Sequence, residues 1–495
     1  MKVRVPGLAK QMEFMNYSFL REMRPVQVIK ALFFCAVLAL AALAWRKYPG
    51  SAYAYLLFTF SFNTLLLAGF IEKRIFFDTF IGLFLWLGFW FKLSVTLVFF
   101  NGSFGEPAGI FDFTGPAYDR ALLVSSLAAL ALLCSGLFRR MFFSYSPVRA
   151  SAPVPAVCGL YSRYKKRFWF FFMAAIVVVA ISNVWLGIYQ RGLVPRTVLP
   201  FGLSGVYPLL LLFGLASFSA ILLDCEFRTG SAPYAAALLA IAEGFFSNVS
   251  MLSRGMILNG AALAIGAEES VRRRGRQIPV RFTFAVLAVF SVLFAGSVYT
   301  ANRVRSYAFA DGSPEQTAVV EAAAPSRART LRFAVDRWVG LEGVMAVSSY
   351  SGLGRSLWEN AWRERFSSTG TSLYDSTVLA VNNSYSGSDM TRKHFIVLPG
   401  IVAFFFYPGS FAFLFFGMFI AGLLGALLEM LVYKLAGGNL ILCALLAQVA
   451  ASRFAHFGYV PRQSYLLVFG IFIAALAAYA ANKAGERFGG CDGRA

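Results

Sequence analysis

The stretch that decides the fold is 301–393, which opens as ANRVRSYAFADGSPEQ (301–316), passes through LRFAVDRWVGLEGVMAVSSY (331–350) and continues as LWENAWRERF (357–366). It follows FTFAVLAVFSVLFAGSVYT (282–300) and precedes a second apolar region that begins at Phe395. Arg303, Arg305, Asp336, Arg337, Glu342, Arg363, Glu364, Arg365 and Asp375 are scattered along it. Each charged side chain costs roughly 2.5–3.5 kcal/mol at the centre of a membrane helix. The interval therefore stands in water on one side of a bilayer, and function turns on which side it occupies and what it covers.

Composition supplies the bilayer. Of 495 residues, 58% are hydrophobic and 14% charged, against about 25% charged in soluble domains. Mean hydropathy is +0.65. These values point to an all-α polytopic membrane protein. Apolar segments near the ~20 residues that span a bilayer fall at 28–45, 51–70, 79–100, 120–138, 168–190, 201–223, 231–249, 254–267, 282–300, 406–434, 439–456 and 464–481. The expected organisation is nine transmembrane helices in 1–300, a large loop with amphipathic helices at 301–393, and three more helices in 394–495. Val28–Trp45 is followed by no small-residue cleavage site and reads as a retained span.

Loop charges orient the chain. Lys2, Arg4, Lys10, Arg21, Arg24 and Lys30 precede the first span, and Arg139–Arg167 carries seven cations and no acid. Arg272, Arg273, Arg274, Arg276 and Arg281 cluster in a third loop, whereas Asn101–Asp119 holds only Glu106, Asp112 and Asp119. Cations stay on the cytoplasmic side. All these loops agree with twelve spans, both termini cytoplasmic and the 301–393 loop outside. The net charge of +21 is therefore orientation signal rather than affinity for nucleic acid, with a remainder suited to an anionic lipid or a phosphorylated substrate. The six cysteines avoid 301–393, which excludes a disulfide there, and no pair has a metal-ligand spacing.

Within the loop, apolar residues at Phe333, Trp338, Leu341, Val344 and Met345, and again at Leu357, Trp358, Ala361 and Trp362, recur at helical spacing. Short amphipathic helices on the membrane surface or over a cavity are expected, and 311–328 reads as a polar, Ala/Pro/Ser-rich lead-in. The two histidines, His394 and His456, fall at the outer face beside Arg392, Lys393, Arg453 and Arg462. Arg254 occupies another outer helix end. One such arginine ordinarily reaches for headgroups. Several at one depth suit a diphosphate, which needs multiple fixed donors, and arginine offers a planar fork.

Ionisable residues inside apolar spans are functional suspects by default, and here they are Lys92, Glu243 and Glu429. On a continuous helix Glu243 and Arg254 share a face about 16 Å apart, too far to pair. Lys92 could pair with Glu243, and Glu429 suits a structural partner near the cytoplasmic face. Asp112 and Asp119 could hold a divalent metal, but Asp119 fits better as the N-cap of the span after it. No Gly-rich phosphate loop, paired Cys–His set or Ser–His–Asp pattern is present.

About twelve spans, a long late external loop, Ser253-Arg254-Gly255 at an outer helix end, the loop stretch Arg337-Trp338-Val339-Gly340-Leu341-Glu342-Gly343-Val344-Met345 and Phe406-Tyr407-Pro408-Gly409-Ser410 after it together resemble the bacterial Wzy-type repeat-unit polymerases, relatives of the O-antigen ligases. The resemblance implies a GT-C-like fold in the bacterial inner membrane and metal-independent glycosyl transfer at its periplasmic face, with no cofactor. Its substrates would be undecaprenyl-diphosphate-linked oligosaccharides as donor and acceptor, and a chain-length regulator is an implied partner. Arg254 matches the family's motif, and Arg337 and Glu342 are carried by the loop stretch. Arg453, Arg462 and His456 are placed by topology alone. The expected roles are diphosphate binding for the four arginines and base catalysis for Glu342, His394 or His456. The ligases carry a functional histidine near the end of their large loop; His394 has that location, but its surroundings differ.

A flippase for lipid-linked sugars is the rival from another class. It requires a cationic cavity open alternately to both sides, often with repeat symmetry. No repeat is visible here and the cations sit at the outer ends. A ligase differs only in its acceptor. A transferase using lipid monophosphate sugars would want acids in the first external loop, which reads Arg46-Lys47-Tyr48-Pro49-Gly50.

Overall fold

The computed structural model describes residues 25–70, 75–141, 155–229, 233–253, 255–309, 332, 335–366, 372–379 and 397–489. Arg254, His394, Arg392, Lys393 and the 311–328 lead-in lie outside the described residues. The chain is helical: α1 Pro25–Lys47, α2 Ala52–Gly69, α3 Phe76–Phe99, α4 Gly115–Arg140, α5 Ala156–Leu186, α6 Pro200–Thr229, α7 Tyr234–Ser250, α8 Met256–Arg273 and α9 Val280–Phe309. Then follow α10 Leu341–Ser349, α11 Arg355–Arg363, α12 Ile401–Phe406, α13 Phe411–Leu435, α14 Leu440–Ala455 and α15 Ser464–Gly489.

Eight of these, namely α2 to α6, α9, α13 and α15, are long and apolar enough to cross a membrane, while α7 and α14 are apolar but shorter. Each of the twelve apolar segments expected from the sequence coincides with a helix. Local chemistry sets several starts: the side chains of Ser51, Ser410 and Asn439 accept the amides of Ala54, Phe413 and Leu442, supplying first-turn donors with an acceptor. At the cytoplasmic side expected from charge, Glu429 of α13 accepts the amides of Phe76 and Phe77 at 3.0 and 2.7 Å. The carboxylate thus meets the positive end of α3, which gives Glu429 the structural role expected for it.

The core centres on α14, whose Leu440–Leu446 face is almost completely buried, packed on α3, α6, α8 and α13. Three sequence expectations change here. Asp119 does not cap its own helix, which is preceded by Thr114; its carboxylate takes the Tyr48 hydroxyl and the Ser51 amide, tying α4 to the turn before α2. The α7–α8 unit is not one continuous helix, since α7 ends at Ser250 and the chain reverses before Met256. Glu243 therefore has no helical register with Arg254, and its carboxylate accepts the Ser247 hydroxyl at 2.8 Å.

The third change concerns the large loop. Helix α10 does not lie on the surface: Leu341, Val344, Met345, Ala346 and Val347 are fully buried, against α4 and α12. Burying a Leu, Val or Met side chain is worth roughly 1.5–3 kcal/mol, so this short helix is part of the core. Helix α11 keeps the expected amphipathic form, with Leu357 and Ala361 buried and Trp358 and Trp362 stacked on each other, their rings tilted against Phe404. Cys158 and Cys225 form a disulfide between the start of α5 and the end of α6.

Candidate functional site

Four chain-distant segments meet at one end of the bundle, the end that loop charges lead one to expect outside. The first is the α7–α8 turn, where buried Leu252 adopts a left-handed φ of 51°. Non-glycine residues reach that region only when their surroundings hold them there. Here Asn248 does so: its carbonyl accepts the Ser253 amide and its side-chain oxygen accepts the Met256 amide, while the Ser253 hydroxyl accepts the Gly255 amide. The second segment follows α5. Asn183 binds both the amide and the carbonyl of Tyr189 and also reaches Ser250, and the Arg191 amide donates to Met251 at 3.0 Å. The loop bearing Arg191 is thereby fastened to the turn bearing Arg254.

The third segment is the end of α14 and the turn after it. Arg453 donates to the Tyr459 carbonyl and the Ser464 hydroxyl, both at 3.4 Å. Val460 also adopts a left-handed φ, of 42°, and its amide is held by Glu364 from beyond α11 at 3.1 Å. The Gly400 amide donates to the Phe457 carbonyl at 3.0 Å, tying this turn to the start of α12. His456 contacts the Ser452 carbonyl through Nδ1 at 2.8 Å. A carbonyl can only accept, so Nδ1 carries the proton and Nε2 of the neutral ring keeps the lone pair. Burial holds the His456 pKa below its usual 6.5, and the guanidinium groups of Arg191, Arg453 and Arg337 push the same way, against the Ser452 carbonyl.

The fourth segment, 335–342, carries Arg337, whose charge acts on His456, and α3 holds the segment in place. The helix opens into a π turn at Leu87–Phe91, immediately before Lys92. The Lys92 ammonium donates to the Trp338 carbonyl at 2.7 Å and lies 3.4 Å from the Asp336 carbonyl, on either side of Arg337. It also binds both Glu342 oxygens, at 2.7 and 2.8 Å. Gly88 permits this approach, since a Cβ there would come within 2.3 Å of the Val339 carbonyl oxygen. Lys92 thus pairs with Glu342 rather than with Glu243. Glu342, 4% exposed and gripped by an ammonium, ties this segment to α3. Burial pushes its carboxyl pKa up and the neighbouring ammonium opposes that.

Of the residues expected at the site, the structure therefore gathers Arg337, Arg453 and His456, and fixes the neighbours of Arg254. Arg462 is exposed on the one-turn helix Pro461–Gln463, at the rim. Glu243 stays within α7. Sequence reasoning missed Arg191, whose available signal was its position in an external connection, and it missed the partner of Lys92, which lies 250 residues away. The arrangement offers guanidinium groups for an anion and a neutral imidazole for a proton. Fold and site together define a membrane-embedded, polytopic helical protein with a cationic cluster at one end of its bundle. Compared with protein-family models, curated proteins and solved structures, the chain matches none of them.

Proposed function

We propose that this protein is an inner-membrane glycosyltransferase that polymerises undecaprenyl-diphosphate-linked oligosaccharide repeat units on the periplasmic side. The observation that carries the proposal is the meeting of Arg191, Arg337 and Arg453 around the His456 ring from three separate parts of the chain. Transfer breaks the bond between an anomeric carbon and diphosphate, and charge accumulates on the leaving group. Guanidinium groups already in place stabilise that charge more strongly than the ground state. The attacking sugar hydroxyl must lose a proton, and Nε2 of a neutral histidine accepts one. The Lys92–Glu342 clamp serves this chemistry by holding the backbone on both sides of Arg337.

The twelve-span topology with both termini cytoplasmic belongs to the same reading, as does a GT-C-like architecture with the 335–366 segment covering the site. The test is a purified-membrane assay with lipid-diphosphate oligosaccharide as donor and acceptor, followed by chain-length analysis. Formation of polymer that is lost in Arg453→Ala supports the reading. Transfer of finished polymer onto lipid A without chain growth would make the protein a ligase instead. Movement of the intact lipid-linked unit across the bilayer without bond formation would make it a flippase.

A further inference from the structure

The opposite end of α8 holds a second anion-binding feature that the outer-face reading does not use. Helix α8 ends in a paired reversal: the Gly275 amide donates to the Arg272 carbonyl at 3.0 Å and the Arg276 amide to the Val271 carbonyl at 3.2 Å. Gly275 adopts φ of 67°, the left-handed turn that closes a helix with two such bonds and needs a glycine. The reversal consumes two carbonyls whose partial negative charge would repel an anion. It also places Arg274 and Arg276 on the wall of a cavity of about 250 Å³ between α6, α7, α8 and α9. The remaining wall is aromatic and aliphatic, with Phe227, Tyr234, Ile278 and Phe282 prominent.

The charges here are unevenly spent. The carboxylate of Asp224 takes Arg228 at 2.6 Å through one oxygen and Nη2 of Arg274 at 2.8 Å through the other. Nη1 of Arg274 is buried and has no hydrogen-bond partner among the described residues. An unmade hydrogen bond on a buried charged group is costly, so a ligand that completes it gains what the protein alone does not supply. Arg276 is exposed and, among the described residues, reaches the Phe227 carbonyl at 3.4 Å. A phosphate oxygen suits the free face of Arg274, and the aromatic wall suits an attached hydrocarbon body.

Helix α8 has 18 residues, so this cavity lies roughly 27 Å from the outer turn, at the depth of the opposite membrane surface. We infer that Arg274 and Arg276 form a binding site for a phosphate-bearing group, and that its source is the headgroup of an anionic phospholipid of the cytoplasmic leaflet. The inference does not rest on the reading of the outer site, because binding is measured without transfer activity.

Full-length protein in detergent, stripped of lipid, is titrated with phosphatidylglycerol, with phosphatidylcholine and with inorganic phosphate, and occupancy is read by native mass spectrometry. One phosphatidylglycerol per chain is expected at the lowest lipid concentrations. Arg276→Gln, an exposed position where folding is not at stake, lowers that affinity about tenfold. Arg274→Lys, which keeps a charge beside Asp224 but loses the second nitrogen, does the same. Competition by inorganic phosphate at equal occupancy keeps the phosphate site and assigns it to a soluble ester. Equal retention of phosphatidylcholine, an unchanged affinity in both variants, or no retained lipid in the wild type overturns the inference.

Discussion

The two ends of this bundle handle positive charge in different ways. At the end that loop charges assign to the cytoplasm, arginines and lysines are organised around carboxylates: Arg139 with Asp78, Lys165 with Glu226, Arg228 and Arg274 with Asp224, Arg272 and Arg273 with Glu269. At the outer end Arg191, Arg337 and Arg453 gather around a neutral imidazole. Pairing with a carboxylate stabilises a position and leaves less charge for a ligand, except where a nitrogen stays unmatched, as Nη1 of Arg274 does among the described residues. Gathering like charges costs free energy in the empty protein, and an anionic substrate offsets that cost on binding. The contrast teaches where to look for chemistry in a protein rich in arginine: not where cations are most numerous, but where several from distant segments act on one titratable group.

The comparison is broken most severely at Lys92, whose partner among the described residues is the buried acid Glu342. Lys92 and Glu342 are 1% and 4% exposed. Removing one partner of such a pair costs roughly 3–5 kcal/mol, because the other charge is left buried alone. Lys92→Met is therefore expected to lower the thermal midpoint in detergent sharply, and Lys92→Met with Glu342→Leu to recover most of the loss. If the double variant stays folded yet makes no polymer, the clamp acts by positioning Arg337.

Next in size is the cluster itself. Arg453→Ala is expected to reduce chain growth by a factor of about 10²–10³, the usual effect of losing one donor to a developing anion. Arg453→Lys should recover only part of it, since an ammonium lacks the planar fork. Protein yield and thermal midpoint should stay close to wild type, and a collapse of both would move Arg453 to the structural side of the comparison.

His456 gives a pH signature. With the folded pKa held below 6.5, the ring is neutral at pH 7, and the rate should fall only as pH drops past the depressed value. The stability sign runs the same way: below pH 6.5 the unfolded chain takes up the proton first, so acidification destabilises the fold. His456→Gln should lower the rate by about 10²-fold and flatten that acid limb. An acid limb that persists in the variant would remove His456 from the proposed base role.

The smallest effect is expected at the rim. Arg462 is exposed, so Arg462→Ala should change the apparent affinity for the lipid-linked substrate only a few-fold, within the ~1 kcal/mol typical of exposed charges. That change should shrink as salt is raised, by screening.

How legible all this was depends on the distance over which each cause acts. The helical, membrane-embedded class and the positions of the apolar helices were readable from the sequence, because hydropathy is a property of contiguous residues and each helix satisfies its own backbone. That Arg453 and Arg462 fall near one end of a helix was readable for the same reason: segment order along the chain needs no tertiary contact. What the tertiary structure alone decided was which charges meet. Lys92 could have paired with Glu243 on sequence grounds, yet it found Glu342 across 250 positions, because a π turn and Gly88 let segment 335–342 press against α3. Helix α10 was legible as a helix but not as core, since its periodicity does not say whether its partner is lipid headgroup or protein. Arg191 entered the cluster only through the hydrogen bonds of Asn183 and Met251. Local composition determined what this protein is made of and where it sits; long-range packing, which depends on shapes that no short window contains, determined where its charges converge.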